Sequence, residues 1–539
     1  MRNICNIVML NATMNCPDFK PPDTEEIVET HISRVYLAPK FAYKQKKPVN
    51  LGFVDYTTLE KRIFYAKKEL SLNRRACSGI YLDLAELRQK KGRLFIGFKG
   101  GALKDVFVRM RRVDSDRFLS NILKSAEAGS ANTEDILNIS NILKKTAKKI
   151  YLFHKNARTS KRISKFGGED IYRANWDDNY KTLETFQTPH LDYSAFLSSP
   201  LFSEFIRLRA QGGFIRDVHG DLRMEHIAVL DPRRVNGICL MDCVEFDERY
   251  RCQDIYLDVA FLLMDFEFNG CFYESVLFFG YYKNCFNYLK SIAPFEKYEP
   301  SVMPFFKAYR AVVRCKISLL SPGEDAPAKA SKYFNLADFY LKLAQKRVII
   351  LNCGLSGSGK SSLSGLLSRW FYARVISTDE IRQNLYGSAA KSVKYSADAN
   401  IAVYRTMLEE GLKESCGSII FDATFLKRSH REKIIGSFYK KDCIFIFVYS
   451  KIYKEKEEII LKRLSDRFNG GGGYGLKDYS EADASVYFNQ KNYFEEPSEN
   501  ELASFAPAAR TGIFAQIDAA LELKDRFNGL IKTVIAQKI

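Results

Sequence analysis

The chain lacks the spacings and segments that mark several broad classes of protein. Its 12 cysteines include no C-x-x-C pair, which argues against a zinc ribbon or a dithiol redox motif. Cys239 and Cys243 have no metal-ligating partners nearby in the sequence and read as buried thiols. No apolar run is long enough to cross a bilayer, no signal peptide is visible, and the opening Ile7-Val8-Met9-Leu10 is too short to anchor. A cytoplasmic protein with reduced thiols is therefore expected. No repeat at solenoid spacing occurs, and Gly470 to Gly473 is the one low-complexity stretch.

Charge is unbalanced but not concentrated. Lys and Arg number 82 against 64 Asp and Glu, a formal net charge of +18. This favours anionic partners such as nucleotides or phosphorylated metabolites. The excess is spread in pairs such as Lys46-Lys47, Arg74-Arg75 and Arg111-Arg112 rather than gathered in a tail, which weighs against nucleic acid as the main partner.

A phosphate loop is present. The segment GLSGSGKSS, Gly354 to Ser362, fits G-x-x-x-x-G-K-[S/T]. Before it, Val348-Ile349-Ile350-Leu351 predicts a buried strand, and after it Leu363 to Phe371 is apolar at helical spacing. Gly354, Gly357 and Gly359 let the backbone of Leu355, Ser356 and Ser358 turn its N–H groups toward a phosphate. Lys360 then reaches the terminal phosphates, Ser361 suits Mg²⁺, and Ser362 is the poorer substitute. ATP and Mg²⁺ are the expected cofactors.

A chain of 539 residues exceeds one core. The breaker-rich patch Ser321 to Pro327 and a helical segment from Tyr333 to Gln345 precede the phosphate-loop strand. We read an N-terminal extension over 1–16, one domain over 17–345 and a second over 346–539. Residues 30–112 alternate apolar and polar positions at Val35 to Leu37, Phe41 to Lys44, Leu94 to Phe98 and Val106 to Met110, which predicts an antiparallel sheet. A helix from Thr58 to about Arg75 interrupts it, and the pattern over 117–153 and 254–320 is mainly helical. A small sheet with one helix, followed by a helical lobe, outlines a protein-kinase-like α+β fold. The second domain reads as an α/β parallel sheet.

From His219 the chain runs HGDLRMEHIAVLDPRRVNGICLMDCVEF. Asp221 opens a loop, Ile227 to Leu230 predicts a strand, Asp231-Pro232 turns, and Ile238 to Met241 returns to Asp242. One aspartate can orient or deprotonate a hydroxyl while the other holds Mg²⁺ against ATP phosphates. HGDL followed by Asp242 resembles the aminoglycoside phosphotransferase and choline kinase superfamily. Thr30 to Arg62 and Glu69 to Arg75 are similar to a bacterial group of aminoglycoside phosphotransferase family proteins, many with a fused P-loop kinase. The resemblance implies phosphorylation of small-molecule hydroxyls. It makes Asp221 the catalytic base, Asp242 the Mg²⁺ ligand, Lys44 the strand lysine on the nucleotide phosphates and Glu69 its helix partner. Lys46, on the same strand face, is the second candidate lysine.

The chain departs from that family in its catalytic loop. Where the family has Asn, five residues after the base, His226 stands, with Glu225 before it and Arg223 in place of a common His. As a metal ligand His226 is a softer donor than Mg²⁺ prefers. One Mg²⁺, Glu225 as ligand, or a nucleotide-binding pseudokinase are the alternatives. No G-x-G-x-x-G loop occurs in this lobe, so Ser33 and the turn at Ala38-Pro39 would cover the phosphates.

In the second domain Ala373 to Ser377 predicts a strand delivering Thr378, Asp379 and Arg382. This segment resembles the substrate site of gluconate kinases, phosphatase-linked polynucleotide kinases and zeta toxins. The resemblance implies that Asp379 accepts the substrate proton and Arg382 holds an anionic group. The alternative is a helix N-cap at Thr378 or Asp379 followed by an exposed arginine. Ser418 to Phe421 reads as a strand ending in Asp422, a Walker B position, and the DATF segment resembles those of predicted kinases of this kind. Cys443 to Tyr449 is a further strand, after which Arg463 and Arg467 sit one turn apart, as lid arginines or as a solvated face.

The expected activity is a bifunctional ATP-dependent kinase acting on hydroxyls of small, sugar-like molecules. The alternative is a P-loop kinase on nucleic-acid ends or another anionic substrate, with a pseudokinase-like first domain.

Overall fold

The computed structural model describes residues 19–537 apart from 53, 129–132, 287–292, 322, 388, 415–416, 439–442, 469–483 and 506–511. The extension over 1–16, Gly470 to Gly473 and the side chain of Arg467 lie outside the described residues.

Strands β1 (Glu26–Glu29), β2 (Ser33–Leu37), β3 (Phe41–Lys46), β4 (Tyr81–Lys90), β5 (Arg93–Ile96) and β6 (Ala102–Arg111) form an antiparallel sheet in the order β1-β2-β3-β6-β4-β5. Helix α1 (Leu59–Cys77) starts where the Thr58 hydroxyl accepts the Lys61 N–H at 3.3 Å, satisfying one free donor of the first turn. Period-two alternation gives the sheet two apolar faces. Val106, Val108 and Met110 pack with Ala66 and Cys77, while Tyr36, Leu87 and Phe107 pack on the other side. The sequence pattern misses β1 and β4. In β4 a register shift between Tyr81 and Asp83 breaks the alternation on which such a reading depends.

The helical lobe holds α2 (Leu119–Ala128), α3 (Thr133–Asn156), the short antiparallel pairs β7 (Ile215–Asp217) with β10 (Cys252–Asp254) and β8 (Ile227–Val229) with β9 (Ile238–Leu240), then α4 (Ile255–Phe268), α5 (Phe272–Phe286), α6 (Glu299–Leu320) and α7 (Ala326–Gln345). Every residue of α4 is buried. Apart from Asp258, Asp265 and Glu267 its sequence is apolar all round, and a helix of that kind is stable only inside a core. Each buried Leu or Phe contributes about 1.5–3 kcal/mol.

Helix α7 leads through Lys346 into a five-stranded, all-parallel sheet of order β12-β13-β11-β14-β15. Its elements are β11 (Arg347–Cys353), α8 (Lys360–Phe371), β12 (Arg374–Ser377), α9 (Thr378–Tyr386), α10 (Ala397–Lys413), β13 (Ile419–Asp422), α11 (Arg428–Phe438), β14 (Cys443–Lys451), α12 (Glu457–Phe468), β15 (Gly512–Asp518) and α13 (Leu523–Ala536). Ile349, Ile350 and Leu351 are fully buried, as a central strand covered on both faces requires. Edge strand β15 was not foreseen. The two parts share one apolar core, in which Trp370 stacks on Phe339 at 6.0 Å and meets Phe272 edge-on. Lys524 pairs with Glu274 at 2.7 Å across the same junction.

All nine described cysteines are free thiols, with Cys239 and Cys243 buried. Among the described residues no helix is long and apolar enough to cross a membrane, and no group of three or more His, Cys, Asp or Glu is placed to hold a metal by itself.

Candidate active sites

Alternation along β3 puts Lys44 and Lys46 on one face, and both reach Glu69 of α1. Lys44 Nζ lies 3.0 Å from Glu69 Oε1, and Lys46 Nζ lies 2.8 Å from Oε2. Lys44 also pairs with Asp242, and Lys46 with Glu245, which accepts the Tyr56 hydroxyl at 2.5 Å. Burial alone would lower the Lys44 pKa, but the Asp242 and Glu69 carboxylates raise it well above its ordinary value. Asp242 has φ 66°, in the left-handed region that a non-glycine residue rarely adopts. Its N–H donates to the Tyr81 hydroxyl at 3.1 Å, and the next N–H, of Cys243, donates to Asn73 Oδ1 at 2.9 Å.

Helix α4 fixes the loop from His219 to Met224 through the main chain. Asp258 accepts the N–H groups of His219 at 3.1 Å and Gly220 at 2.9 Å, and Asp265, two turns on, accepts that of Met224 at 2.8 Å. A Cβ on Gly220, at φ 86°, would lie 2.6 Å from the Tyr250 carbonyl, so this turn needs glycine.

Arg223 donates to both carboxylate oxygens of Asp221 and also pairs with Glu225. His226 Nδ1 is 2.7 Å from the Asp221 carbonyl, and its Nε2 is 3.1 Å from Arg223 Nη2. A carbonyl only accepts and a guanidinium only donates. His226 therefore carries its proton on Nδ1, and its Nε2 lone pair faces Arg223. Burial raises the Asp221 pKa, but Arg223 and His226 outweigh it and hold the carboxyl well below its usual range. Glu69, Lys44 and Asp242 thus form one connected chain and Arg223, Asp221 and His226 another, and the unprotonated His226 Nε2 comes no closer than 3.9 Å to Asp242 Oδ2. Glu245 and Asp258 were missed, because neither stands in a motif and each acts through the backbone or a second charge.

In the parallel sheet, Asn352, one residue before the end of β11, donates to the Lys360 carbonyl at 2.9 Å and to Ser364 Oγ at 2.8 Å, tying the strand to α8. Lys360 Nζ donates to the Leu355 carbonyl at 3.2 Å, and Gln490 accepts the Ser356 N–H at 3.0 Å. Asp422 lies between Asn352 and Ser377 in the sheet register and is 4% exposed. Its Oδ1 has no hydrogen-bond partner. Burial pushes its pKa up to about 6 against the pull of Lys360 and Ser361, and the Asp379 charge adds to the rise.

Ser377 accepts the Asp379 N–H at 3.2 Å and is the N-cap of α9. The cap expected at Thr378 or Asp379 lies instead one or two residues earlier, because Ser377 is the last extended residue and offers a hydroxyl. Asp379 occupies the first turn. Arg382 is 8% exposed, donates to the Lys394 carbonyl at 2.7 Å and lies over the Tyr395 ring. It is not the exposed arginine of the alternative reading. The loop after Asp422 is held by Arg431, which donates to the Phe425 carbonyl and pairs with buried Glu501. Arg463 donates to the carbonyls of Ala519, Ala520 and Leu521, at 2.5, 3.1 and 3.3 Å.

Sequence reasoning also missed Arg526. This residue of α13 is 2% exposed, and a Cβ on Gly359 would come 2.4 Å from its Nη1, so the guanidinium lies against the phosphate loop. It donates to Ser450 Oγ at 3.0 Å, its Nε has no partner, and no carboxylate lies within ion-pair distance among the described residues. Burial, reinforced by Arg463, lowers its pKa to about 10. The available signal was a cation on the apolar stripe Leu523, Phe527, Leu530, Ile531, Val534.

Residues 349–497 match the family model described as AAA domain. An uncharacterized protein of Mycobacterium tuberculosis is 29% identical over 421 residues, covering 74% of this chain and 78% of its own. A gluconokinase from Sinorhizobium meliloti is similar over 36% of this chain and 91% of its own, at 17% identity and TM-score 0.23. A Plasmodium vivax ethanolamine kinase is similar over 62% and 86%, at 14% identity and TM-score 0.34. The chain joins an antiparallel sheet and a helical lobe to a parallel sheet that follows a P-loop sequence, and residues 349–497 of this second part match an AAA domain.

Proposed function

We propose that the chain is a bifunctional ATP-dependent phosphotransferase, with domains over 17–345 and 346–539, that moves the γ-phosphate of ATP to hydroxyls of small molecules. The observation that carries this reading is the unpartnered, buried Oδ1 of Asp422 beside Lys360 and Ser361. An orphaned carboxylate oxygen is costly unless a ligand satisfies it. An oxygen donor next to a phosphate loop suits Mg²⁺, which is typically bound by one or two carboxylates together with substrate phosphates.

In this domain the loop N–H groups and Lys360 hold the phosphates, Arg526 adds positive charge from below, and Ser361 with Asp422 would hold the metal. Asp379 takes the acceptor proton, Arg382 binds an anionic part of the acceptor, and Arg463 and Arg467 belong to the lid. In the first domain Lys44, oriented by Glu69, grips the nucleotide phosphates and Asp221 orients the acceptor hydroxyl. Asp242 would hold the metal there, and an exposed carboxylate fits that ion better than His226, whose Nε2 faces Arg223. Mg²⁺ supplies neutralisation of the charge developing on the transferred phosphoryl group.

One observation favours a second reading of the first domain. Arg223 occupies both oxygens of Asp221, which suits a nucleotide-holding module that gates the second domain. The stoichiometry of Mg-ATP binding to the full chain and to its Lys360→Ala and Asp242→Ala variants tests whether the first domain holds nucleotide, as both readings require. Phosphoryl transfer that survives in Lys360→Ala but is lost on adding Asp221→Asn separates a phosphotransferase from a holding module. Two sites, each variant losing a different one, are expected. A single site, lost only in Lys360→Ala, would overturn bifunctionality.

A further inference from the structure

Beside the catalytic loop of the first domain lies a cavity of about 320 Å³, within the size range of small-molecule sites. The ends of five segments enclose it: the start of α2, the catalytic loop, the end of α4, and helices α6 and α7. Its cations come from four of them, Lys124, Arg223, Arg314 and Lys329, against the two carboxylates Glu225 and Asp265.

The carboxylates are already engaged. Glu225 pairs with Arg223, and Asp265 accepts the Met224 N–H at 2.8 Å. Lys124, Arg314 and Lys329 have no carboxylate partner among the described residues, and Arg314 Nε is buried without any hydrogen-bond partner. The remaining wall is a stacked aromatic pair, Phe268 and Tyr333 at 3.7 Å, with the polar side chains of Ser120, Asn121 and Asn269. Unspent positive charge on separate rigid elements, an aromatic floor and neutral hydrogen-bonding groups describe a receptor for a polyhydroxylated anion.

We propose that this cavity binds the acceptor of the first domain, and that the acceptor is a small hydroxylated molecule already carrying a phosphate monoester. The inference rests on reading the first domain as a phosphotransferase and names its substrate class. Three cations without a carboxylate partner among the described residues, one of them, Arg314, lying over the Tyr333 ring at 5.7 Å, suit a dianion better than a single carboxylate. Arg223 links the cavity to the base, because the guanidinium that lines the cavity also holds Asp221. A phosphate that draws on Arg223 loosens its hold on Asp221, so the base becomes available when the acceptor is seated.

The test is titration calorimetry on the full-length Lys360→Ala chain, which removes phosphate binding at the P-loop, with glycerol 3-phosphate, sodium acetate and choline as separate probes. Glycerol 3-phosphate should bind, acetate at least tenfold more weakly and choline not at all. Combined Arg314→Gln and Lys329→Gln substitution should weaken glycerol 3-phosphate at least tenfold without moving the melting temperature. Phosphate-ester binding unaffected by that pair, or preference for choline, would overturn the inference. Binding that depends on the pair, in a chain whose phosphoryl transfer is indifferent to Asp221→Asn, would leave the anion site standing and remove the phosphotransferase reading beneath it.

Discussion

Arg223 grips both carboxylate oxygens of Asp221, with its Nε and Nη2 each 2.9 Å from one of them. The bidentate fork is the strongest geometry available to this pair and depresses the basicity of the group it holds. Since the folded-state pKa of Asp221 is lowered, the pair contributes stability above the unfolded carboxylate pKa, near 4, and that contribution disappears as pH falls through the folded value. Arg223→Gln should therefore cost about 2 kcal/mol at pH 7, a loss that begins to shrink only below about pH 4, as pH falls toward the depressed folded value. Thermal melts at pH 7 and at a series of acid pH values check this, and a loss independent of pH throughout would separate the effect from ionisation.

Asp422 has the opposite sign. Its pKa is raised to about 6 from 3.8 by burial, so stability declines as pH rises between these values and stays reduced above pH 6. Asp422→Asn removes that penalty and should stabilise the ligand-free chain by about 3 kcal/mol at pH 8, little at pH 4. The same substitution should abolish Mg²⁺-dependent ATP binding at the second site. Scanning calorimetry with and without Mg-ATP reads both. A variant less stable than the wild type at pH 8 would contradict the assignment of Asp422 as an uncompensated buried carboxylate.

Asp258 organises the first site from inside α4, accepting two loop N–H groups and facing His154 Nε2 at 3.1 Å. Asn at this position presents one acceptor and turns an NH₂ toward N–H donors. Asp258→Asn should cost about 3–5 kcal/mol, the scale for removing a buried charge from its partners. It should also lose the Asp242-dependent nucleotide site while the Lys360-dependent one survives. Hydrogen exchange at His219 and Gly220 reports the loop directly, and unchanged protection there would count against this role.

The legible part of the molecule was the part with local grammar. The phosphate loop, the Asp221 to Asp242 hairpin and helix α1 carry their signals within a few residues, as turn formers, caps and periodicity. Strand β4 was lost because its bulge breaks the alternation, and β15 because an edge strand of alternating GIFAQID resembles many exposed segments. Asp242 was nameable from spacing and Lys44 and Glu69 from the family resemblance, yet the sharing of Glu69 by Lys46, 23 residues away, and the closure of Lys46 on Glu245, 199 residues away, are tertiary contacts that no local pattern encodes. The grip of Arg223 on Asp221 is only two residues long in sequence, but its meaning depends on the rotamer that the surrounding helices impose.

Arg526 combines nearly full burial, an unpartnered Nε and contact with Gly359, a set of properties that is unstable unless something anionic answers it. If the nucleotide phosphate is that anion, the charge is costly in the free protein and favourable in the complex. Arg526→Gln should then leave the ligand-free melting temperature unchanged or raised, while weakening ATP binding at the second site at least tenfold. That loss corresponds to about 1.4 kcal/mol and shrinks the melting shift that saturating Mg-ATP produces. Gly359→Ala should also weaken ATP binding, because its Cβ would meet Nη1 at 2.4 Å and displace the guanidinium, but at φ 74° it strains the loop and lowers the ligand-free melting temperature as well. A purely structural arginine gives the reverse pattern, a lower melting temperature with ATP affinity intact. The pair of measurements on one variant therefore separates a phosphate-reading arginine from a packing one.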